Sequence, residues 1–261
     1  MNSAAYPFHL ERTVLIQAKP ATVFEFLTDS AKWAAWWGAG STIDARPGGS
    51  VYIRHANGIE SAGKVLEVHS PERLSFTYGF LSGKPIPPGG SQVTIKLSPH
   101  DGGTRLELHH EFAEAEVRDE HVQGWRFQLS LFANLLADAV HANATETVDE
   151  WFAAWAITDE GGRRTSLTKI ASEEIRFFDR FSLLAGLNDL SAHVGAAQRF
   201  MPKVVLSRKG EIRHCQGTVL CDWVAAGADG KERMSGTNVF TISPNGKIVS
   251  VTGFANPLPL Q

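Results

Sequence analysis

Residues 118–140, RDEHVQGWRFQLSLFANLLADAV, mark the point where the hydrophobic pattern of the first half of the chain changes its period. Before this segment apolar residues alternate, as they do in strands. Within it they recur every three or four positions, as they do along one face of a helix. The apolar stripe consists of Val122, Trp125, Leu129, Phe132 and Leu136. We therefore predict a long amphipathic helix that covers one face of a sheet formed by the preceding residues.

The residues before this helix carry the signals of several β-strands. Asn57 and Gly58 form a typical hairpin turn, and apolar side chains alternate over residues 74–80 and 106–112. An early strand at residues 13–16 and a short helix after Pro20 precede them. This order predicts a bent antiparallel sheet with a long helix across it, and a cavity between the helix and the concave face.

The pattern starts again after a polar gap at residues 141–145. We therefore predict two domains, residues 1–140 and 141–261. In the second, helical segments come first and four strands fill residues 204–254. Helices followed by a long antiparallel sheet predict a cone-shaped α+β barrel, so the predicted fold class is α+β with two domains.

The composition is that of a globular protein without a strong charge. The chain of 261 residues is 43% hydrophobic and carries a formal charge of -3, so we expect neither nucleic acid nor a membrane surface as partner. No apolar run approaches the roughly 20 residues that span a bilayer, and no leader sequence is visible, which favours a cytoplasmic location. Cys215 and Cys221 are expected to be reduced core thiols.

Six short motifs follow one another along the first half. They are Trp36-Trp37, Arg46-Pro47-Gly48-Gly49, Gly63-Lys64-Val65, Ser70-Pro71-Glu72-Arg73-Leu74, Gly103-Thr104-Arg105-Leu106 and Gly124-Trp125. In this order, over roughly residues 8–139, the half-chain resembles the activator of heat-shock-protein-90 ATPase homologues. That family lies in the START-like (SRPBCC), polyketide-cyclase-related helix-grip superfamily.

This resemblance implies an apolar ligand cavity between the sheet and the C-terminal helix. The candidate lining residues are Trp36, Tyr52, Phe76, Tyr78, His110, Trp125 and Phe132. The alternative is that these side chains simply fill the core, since large aromatics account for much of core burial.

The pair His109-His110 is the other feature of the first half that could carry chemistry. His110 shares the inward face of Leu106 and Leu108, while His109 points the other way. Along the chain no Cys, Asp or His stands at a spacing that completes a metal site with them. We therefore expect no metal and no other cofactor.

The second half carries its own set of motifs. They are Trp151-Phe152-Ala153-Ala154-Trp155 with Asp159, then residues 175–179, 186–193, 239–242 and 245–251. Over residues 144–256 it resembles the SnoaL-like, ketosteroid-isomerase-like branch of the nuclear-transport-factor-2-like superfamily. The resemblance implies a pocket, for which the candidate residues are Trp151, Trp155, Phe177, Trp223 and Phe240.

The same resemblance implies candidate catalytic residues. Asp179 matches the position of the isomerase general base, and a carboxylate facing an apolar pocket suits proton abstraction next to a carbonyl. Asn238 and Trp151 stand where the isomerase has an Asp and a Tyr, and both can donate a hydrogen bond. His193 is a possible second polar group at the pocket mouth.

Three functions remain open from the sequence. The first is binding of a small hydrophobic or aromatic ligand in one or both cavities. The second is a cofactor-independent cyclase, isomerase or dehydratase with Asp179 as base, assisted by His193 or Asn238. The third is an interaction protein that forms a homodimer through the sheet of its second domain.

Overall fold

The structure is a computed structural model that describes residues 6–256. The chain divides into two compact units between Ala137 and Asp138. The predicted domain boundary, after Val140, lies in the same segment.

The first unit contains one antiparallel sheet and the helices that precede and follow it. Its elements are β1 (Phe8–Ile16), α1 (Pro20–Thr28), α2 (Ser30–Trp37), β2 (Thr42–Ile43), β3 (Ser50–Arg54), β4 (Glu60–His69), β5 (Arg73–Tyr78), β6 (Ser91–His100), β7 (Gly103–Phe112) and α3 (Ala115–Val140). The strand order is β1-β7-β6-β5-β4-β3-β2, and every neighbouring pair is antiparallel. The first strand therefore pairs with the last.

Helix α3 confirms the predicted amphipathic helix and begins slightly earlier than expected. Trp125, Leu129, Phe132 and Leu136 are buried along its length, whereas Val122 is only half-buried. The ring centroid of Phe132 lies 4.6 Å from that of Trp36 on α2. The side-chain amide of Gln128 donates to the Trp36 carbonyl oxygen. These contacts hold α3 against α2.

Helix α2 presents three tryptophans to the core because of their spacing. Trp33, Trp36 and Trp37 are buried and stand at positions i, i+3 and i+4, which lie on one helical face. The Asp29 side chain caps the helix by accepting a 2.9 Å hydrogen bond from the backbone N–H of Lys32. This local order fixes the aromatic wall that the first cavity uses.

The second unit places three helices against a mixed sheet. Its elements are α4 (Ala144–Ala154), α5 (Glu160–Ile170), β8 (Ala171–Phe178), β9 (Leu183–Ala185), α6 (Leu187–Phe200), β10 (Val205–Cys215), β11 (Thr218–Ala226), β12 (Glu232–Ile242) and β13 (Ile248–Ala255). The strand order is β10-β11-β12-β13-β8-β9. Only the β13–β8 pair is parallel. The predicted α+β fold class with two units is confirmed.

The parallel pair positions the second cavity. It brings the start of the unit's sheet, β8, beside its last strand, β13. Trp151 of α4 is buried against this sheet, with its ring 6.1 Å from Phe177 and 5.8 Å from Phe240. The cavity lies beside these rings, where the helices face the ends of the strands.

Two minor expectations have mixed outcomes. Cys221 is a buried free thiol, as expected, but Cys215 is exposed because it ends the edge strand β10, whose side chains are mostly accessible. Within residues 6–256 no helix has both the length and the apolar character needed to cross a bilayer.

Candidate functional site

The second unit contains an apolar cavity of about 420 Å³. Aromatic and aliphatic side chains from α4, α6 and the sheet form most of its wall. The polar side chains that line it are Asp179, Arg180, Ser182, His193 and Asn238. The predicted catalytic residues Asp179, His193 and Asn238 are thus brought together, although they lie far apart in the sequence.

Asp179 is fixed by the turn that follows β8. Its Oδ1 accepts a 2.8 Å hydrogen bond from the backbone N–H of Phe181, and its own N–H donates to the Ser182 carbonyl at 3.0 Å. Such a side-chain-to-backbone bond two residues on is the Asx-turn geometry that Asp favours. The half-buried carboxylate is therefore held at the cavity with one oxygen already engaged.

Asn238 approaches Asp179 across Gly253. Asn238 on β12 pairs in register with Gly253 on β13 and is only 6% exposed. A Cβ at Gly253 would lie 3.1 Å from Asn238 Oδ1 and 3.3 Å from Asp179 Cβ. Both residues therefore border the space that a side chain at position 253 would occupy. Within residues 6–256 the Asn238 amide makes no protein hydrogen bond, so it is available to a ligand.

His193 reaches the same cavity from α6. Its Nε2 lies 3.4 Å from Ser182 Oγ. Its ring lies 5.9 Å from Trp155 and 5.8 Å from Phe177, measured between centroids. The imidazole is therefore packed between aromatic rings and directed toward the turn that holds Asp179.

Two indole N–H groups in the wall have no protein partner. Trp155 Nε1 and Trp223 Nε1 are buried and unbonded within residues 6–256. Buried donors are nearly always hydrogen-bonded in native proteins, so an unpaired pair beside a cavity requires an explanation. A bound molecule with an acceptor atom, or an ordered water, would satisfy them.

Most of the predicted pocket residues of the second half line this cavity. Trp151, Trp155, Phe177 and Trp223 are in its wall. Phe240 is not, because it is fully buried behind Trp151. Sequence reasoning missed Gly253 and Ser182; a glycine inside a strand, which often marks a close approach, was the available signal for the first.

The first unit contains a cleft of about 520 Å³ between α2, α3 and the loop after β3. Trp36, Tyr78 and Trp125 line it, as predicted. Tyr52, Phe76, His110 and Phe132 lie outside its wall.

These four residues are placed elsewhere for identifiable reasons. Phe76 and Phe132 are core residues that pack against Trp33 and Trp36. Tyr52 alternates with the inward Val51 and Ile53, so it faces the other way and its hydroxyl donates to Glu60.

His110 is a satisfied structural histidine. Trp125 Nε1 donates to His110 Nδ1 at 2.9 Å, so the ring proton sits on Nε2, which donates to Ser91 Oγ at 2.8 Å. The Ser91 hydroxyl donates in turn to the Tyr78 carbonyl at 3.0 Å. Burial lowers the pKa of His110 well below its ordinary value, so the ring is neutral.

Sequence reasoning missed His55 and His121, two polar residues of this cleft. Ser61 Oγ donates to the Tyr78 hydroxyl at 3.0 Å, and His55 Nε2 lies 3.1 Å from the same Ser61 oxygen. Burial raises the pKa of Tyr78 to about 12 and lowers the pKa of His55. His121, whose Nδ1 donates to the Val117 carbonyl at 2.7 Å, also lines the cleft. No motif marked these residues.

A comparison with family models agrees with the resemblance of the first half. Residues 17–137 match the family model described as Activator of Hsp90 ATPase homolog 1-like protein. No curated protein matches the chain significantly.

Similar solved structures each cover about half of the chain. A SnoaL-like family protein from Agrobacterium tumefaciens, provisionally described as an isomerase, is 24% identical over 46% of this chain and 99% of its own, with a TM-score of 0.42. CalU16 from Micromonospora echinospora is 26% identical over 47% of this chain and 72% of its own, with a TM-score of 0.40. The Aha1 dimer from Colwellia psychrerythraea is 16% identical over 49% of this chain and 96% of its own, with a TM-score of 0.44.

The first half of the chain is therefore similar to the Activator of Hsp90 ATPase homolog 1-like family.

Proposed function

We propose that the protein binds a small apolar or aromatic molecule in the cavity of its second unit. The observation that carries this proposal is the pair of buried indole N–H groups without a protein partner within residues 6–256, those of Trp155 and Trp223, in a mostly apolar wall. Ligand sites combine apolar walls with a few placed polar groups in volumes of about 300–1,000 Å³, and the volume here is about 420 Å³.

The polar groups also favour one kind of ligand. Two indole N–H groups and an amide NH₂ are hydrogen-bond donors. A ligand with a carbonyl or another acceptor oxygen on an apolar or aromatic frame satisfies the donors and fills the wall. Purely aliphatic ligands would leave the donors unpaired.

Binding can be tested by narrowing the cavity without removing its polar groups. Ala197 on α6 lines the cavity, whereas Ala192 on the same helix is exposed. We expect Ala197→Trp to weaken binding of the aromatic ketone 2-tetralone at least tenfold and Ala192→Trp to leave it unchanged, measured by quenching of tryptophan fluorescence. Equal binding by both variants would contradict the proposal.

A second candidate function is cofactor-independent acid–base chemistry in the same cavity. The observation in its favour is the approach of Asp179 and Asn238 across Gly253. In this scheme the Asp179 carboxylate takes a proton from the carbon next to a carbonyl, and the C–H electron pair moves onto the carbonyl oxygen to form an enolate. The Asn238 amide donates a hydrogen bond to that oxygen. If the substrate also has a C=C bond conjugated with the enolate, re-formation of C=O pushes the electron pair through that bond to its far carbon, which takes the proton back from Asp179 and completes an isomerisation.

One experiment distinguishes catalysis in this cavity from binding alone. Proton exchange at the enolisable carbons of 2-tetralone in D₂O is followed by NMR with wild-type protein, Asp179→Asn and the exposed matched control Asp189→Asn. We expect the Asp179 variant to lose catalysed exchange while still binding 2-tetralone. Exchange that persists in Asp179→Asn would exclude this residue as the base and leave the binding proposal standing.

The homodimer through the second sheet stays a prediction. Large apolar side chains exposed in this unit are Phe181, Leu183, Phe200, Val205 and Phe254. Analytical ultracentrifugation of the full chain and of Leu183→Asp tests whether an apolar surface of this unit pairs two copies.

A further inference from the structure

The pairing of β1 with β7 brings polar side chains of the two strands together into one cluster. Glu11 stands directly opposite His109, and His9 stands opposite Glu111. Alternation puts all four on the outer face of the sheet, because Leu10, Leu108 and His110 point into the core. The first and last strands of the unit thus present two imidazoles and two carboxylates on one face.

These side chains are already close together. The rings of His9 and His109 stack with centroids 5.2 Å apart, and His109 Nε2 lies 3.7 Å from Glu11 Oε1. One ligand atom from each of His9, Glu11 and His109 lies within 4.8 Å of the other two. Within residues 6–256 no other group of three His, Cys, Asp or Glu side chains meets this condition.

The spacing fits a metal ion after small side-chain rotations. Ligand atoms about 2.1 Å from a tetrahedral Zn²⁺ lie roughly 3.4 Å from each other. His9 and Glu11 are exposed and His109 is partly so. Their rotation toward a common point therefore displaces no core residue.

Neighbouring side chains orient His109 and determine the charge around the three ligands. His109 Nδ1 lies 3.9 Å from Glu111 Oε2, and metal-bound histidines commonly donate their second ring N–H to a carboxylate, which fixes the tautomer. Glu111 is therefore a positioning residue that leaves Nε2 free for the ion. The cations Arg12, Arg73 and Lys96 also line the pocket on this face. Arg12 Nη1 donates to the Glu11 backbone carbonyl at 3.2 Å, Arg73 pairs with Glu67 at 2.8 Å, and Lys96 stands opposite Glu107.

We propose that His9, Glu11 and His109 bind a divalent transition-metal ion such as Zn²⁺ on the outer face of the first sheet. Three protein ligands of imidazole and carboxylate type are the set that zinc accepts while retaining one open position, which a water molecule fills. Imidazole ligands select against Ca²⁺ and Mg²⁺, which prefer oxygen. The ion joins the first strand of the unit to its last.

The test is calorimetric titration of the full chain, without an affinity tag and after chelator treatment, with ZnCl₂. We expect one saturable site in wild type and at least a tenfold loss of affinity in His9→Ala, Glu11→Gln and His109→Ala. His100→Ala is the matched control, because His100 lies at the far end of β6 and is outside the group; it should bind like wild type. Circular dichroism verifies that each variant is folded.

A second readout examines the ligand set directly. Co²⁺ bound by His9, Glu11 and His109 should give visible absorption of a four-coordinate site, which excess Zn²⁺ removes and excess Ca²⁺ does not. No saturable Zn²⁺ binding, or the same affinity loss in His100→Ala as in His109→Ala, would overturn the proposal.

Discussion

The core around His110 in the first unit and the cavity of the second unit both combine aromatic rings with polar groups, but they differ in which polar groups have partners. In the first unit the buried polar atoms around Trp125, His110 and Ser91 form a closed relay of hydrogen bonds. In the second unit the indole N–H groups of Trp155 and Trp223 have no protein partner within residues 6–256. A satisfied network rigidifies a core, whereas a buried donor without a partner requires an explanation, such as a bound molecule or an ordered water. The cleft of the first unit lies beside this core and also contains buried nitrogens that are unbonded within the same residues, Trp37 Nε1 and His121 Nε2, so the contrast is between the His110 core and a cavity wall.

The largest expected effect is the difference in free energy of unfolding between a substitution in the core and one at the rim of the second cavity. Phe132 is fully buried against Trp36, so Phe132→Ala should lower the free energy of unfolding by about 3–5 kcal/mol. Phe181 lines the second cavity but is 77% exposed, and Phe181→Ala should cost less than about 0.5 kcal/mol. Chemical denaturation followed by circular dichroism measures both. Similar losses would remove the distinction between packed core and open rim.

The next effect tests the contrast in hydrogen bonding itself. His110→Leu leaves Trp125 Nε1 and Ser91 Oγ buried without their partner, which should cost about 1–3 kcal/mol. Asn238→Leu removes an amide that has no protein hydrogen bond, so its effect on the free energy of unfolding should be near zero. A large loss in Asn238→Leu would show that this amide stabilises the fold and is not held for a ligand.

Acid should weaken the first unit before the second. Burial lowers the pKa of His55, His110 and His121 in the first unit, but only of His141 in the second. Each such histidine takes up a proton more readily when unfolded, so its contribution to stability is complete above its unfolded pKa of about 6.5. That contribution falls with decreasing pH until the folded pKa is reached.

For the fully buried His110 the slope is about 1.4 kcal/mol per pH unit below the unfolded pKa. Amide hydrogen exchange between pH 7 and 5 should therefore show strands β6 and β7 losing protection before β11 and β12. His110→Leu should flatten the pH dependence. The reverse order of protection loss would contradict the assignment.

The smallest effect compares one glycine from each cavity. Gly124 on α3 lines the first cleft and has open space where a Cβ would lie, so Gly124→Ala should raise the free energy of unfolding by about 0.5–1 kcal/mol through helix propensity. Gly253→Ala should lower it, because its Cβ would crowd Asn238 Oδ1 and Asp179 Cβ. Thermal unfolding of the two variants gives the sign of each change, and equal signs would contradict the account of Gly253.

Much of the second cavity could be predicted from the sequence, and less of the first. Asp179, Asn238 and Trp155 were identified because the half-chain follows a recognisable order of elements, in which positions near strand ends face the cavity. Tyr52 was misplaced because strand alternation reverses its direction relative to Val51 and Ile53. His55 and His121 were missed because one lies in a loop and the other on a helix, and only packing brings them to one cleft.

The sequence by itself determined the periods of the elements, the two α+β units and the faces on which most aromatic residues lie, because burial of apolar side chains imposes these local patterns. Only the tertiary structure decided which polar groups find partners. Trp125 donates a hydrogen bond to His110, and Asn238 lies beside the space at Gly253. The His9 ring stacks on that of His109, which is a hundred residues away in the chain. Hydrogen bonds and metal ligation depend on distances of a few ångströms between remote residues, and such distances exist only after the chain has packed.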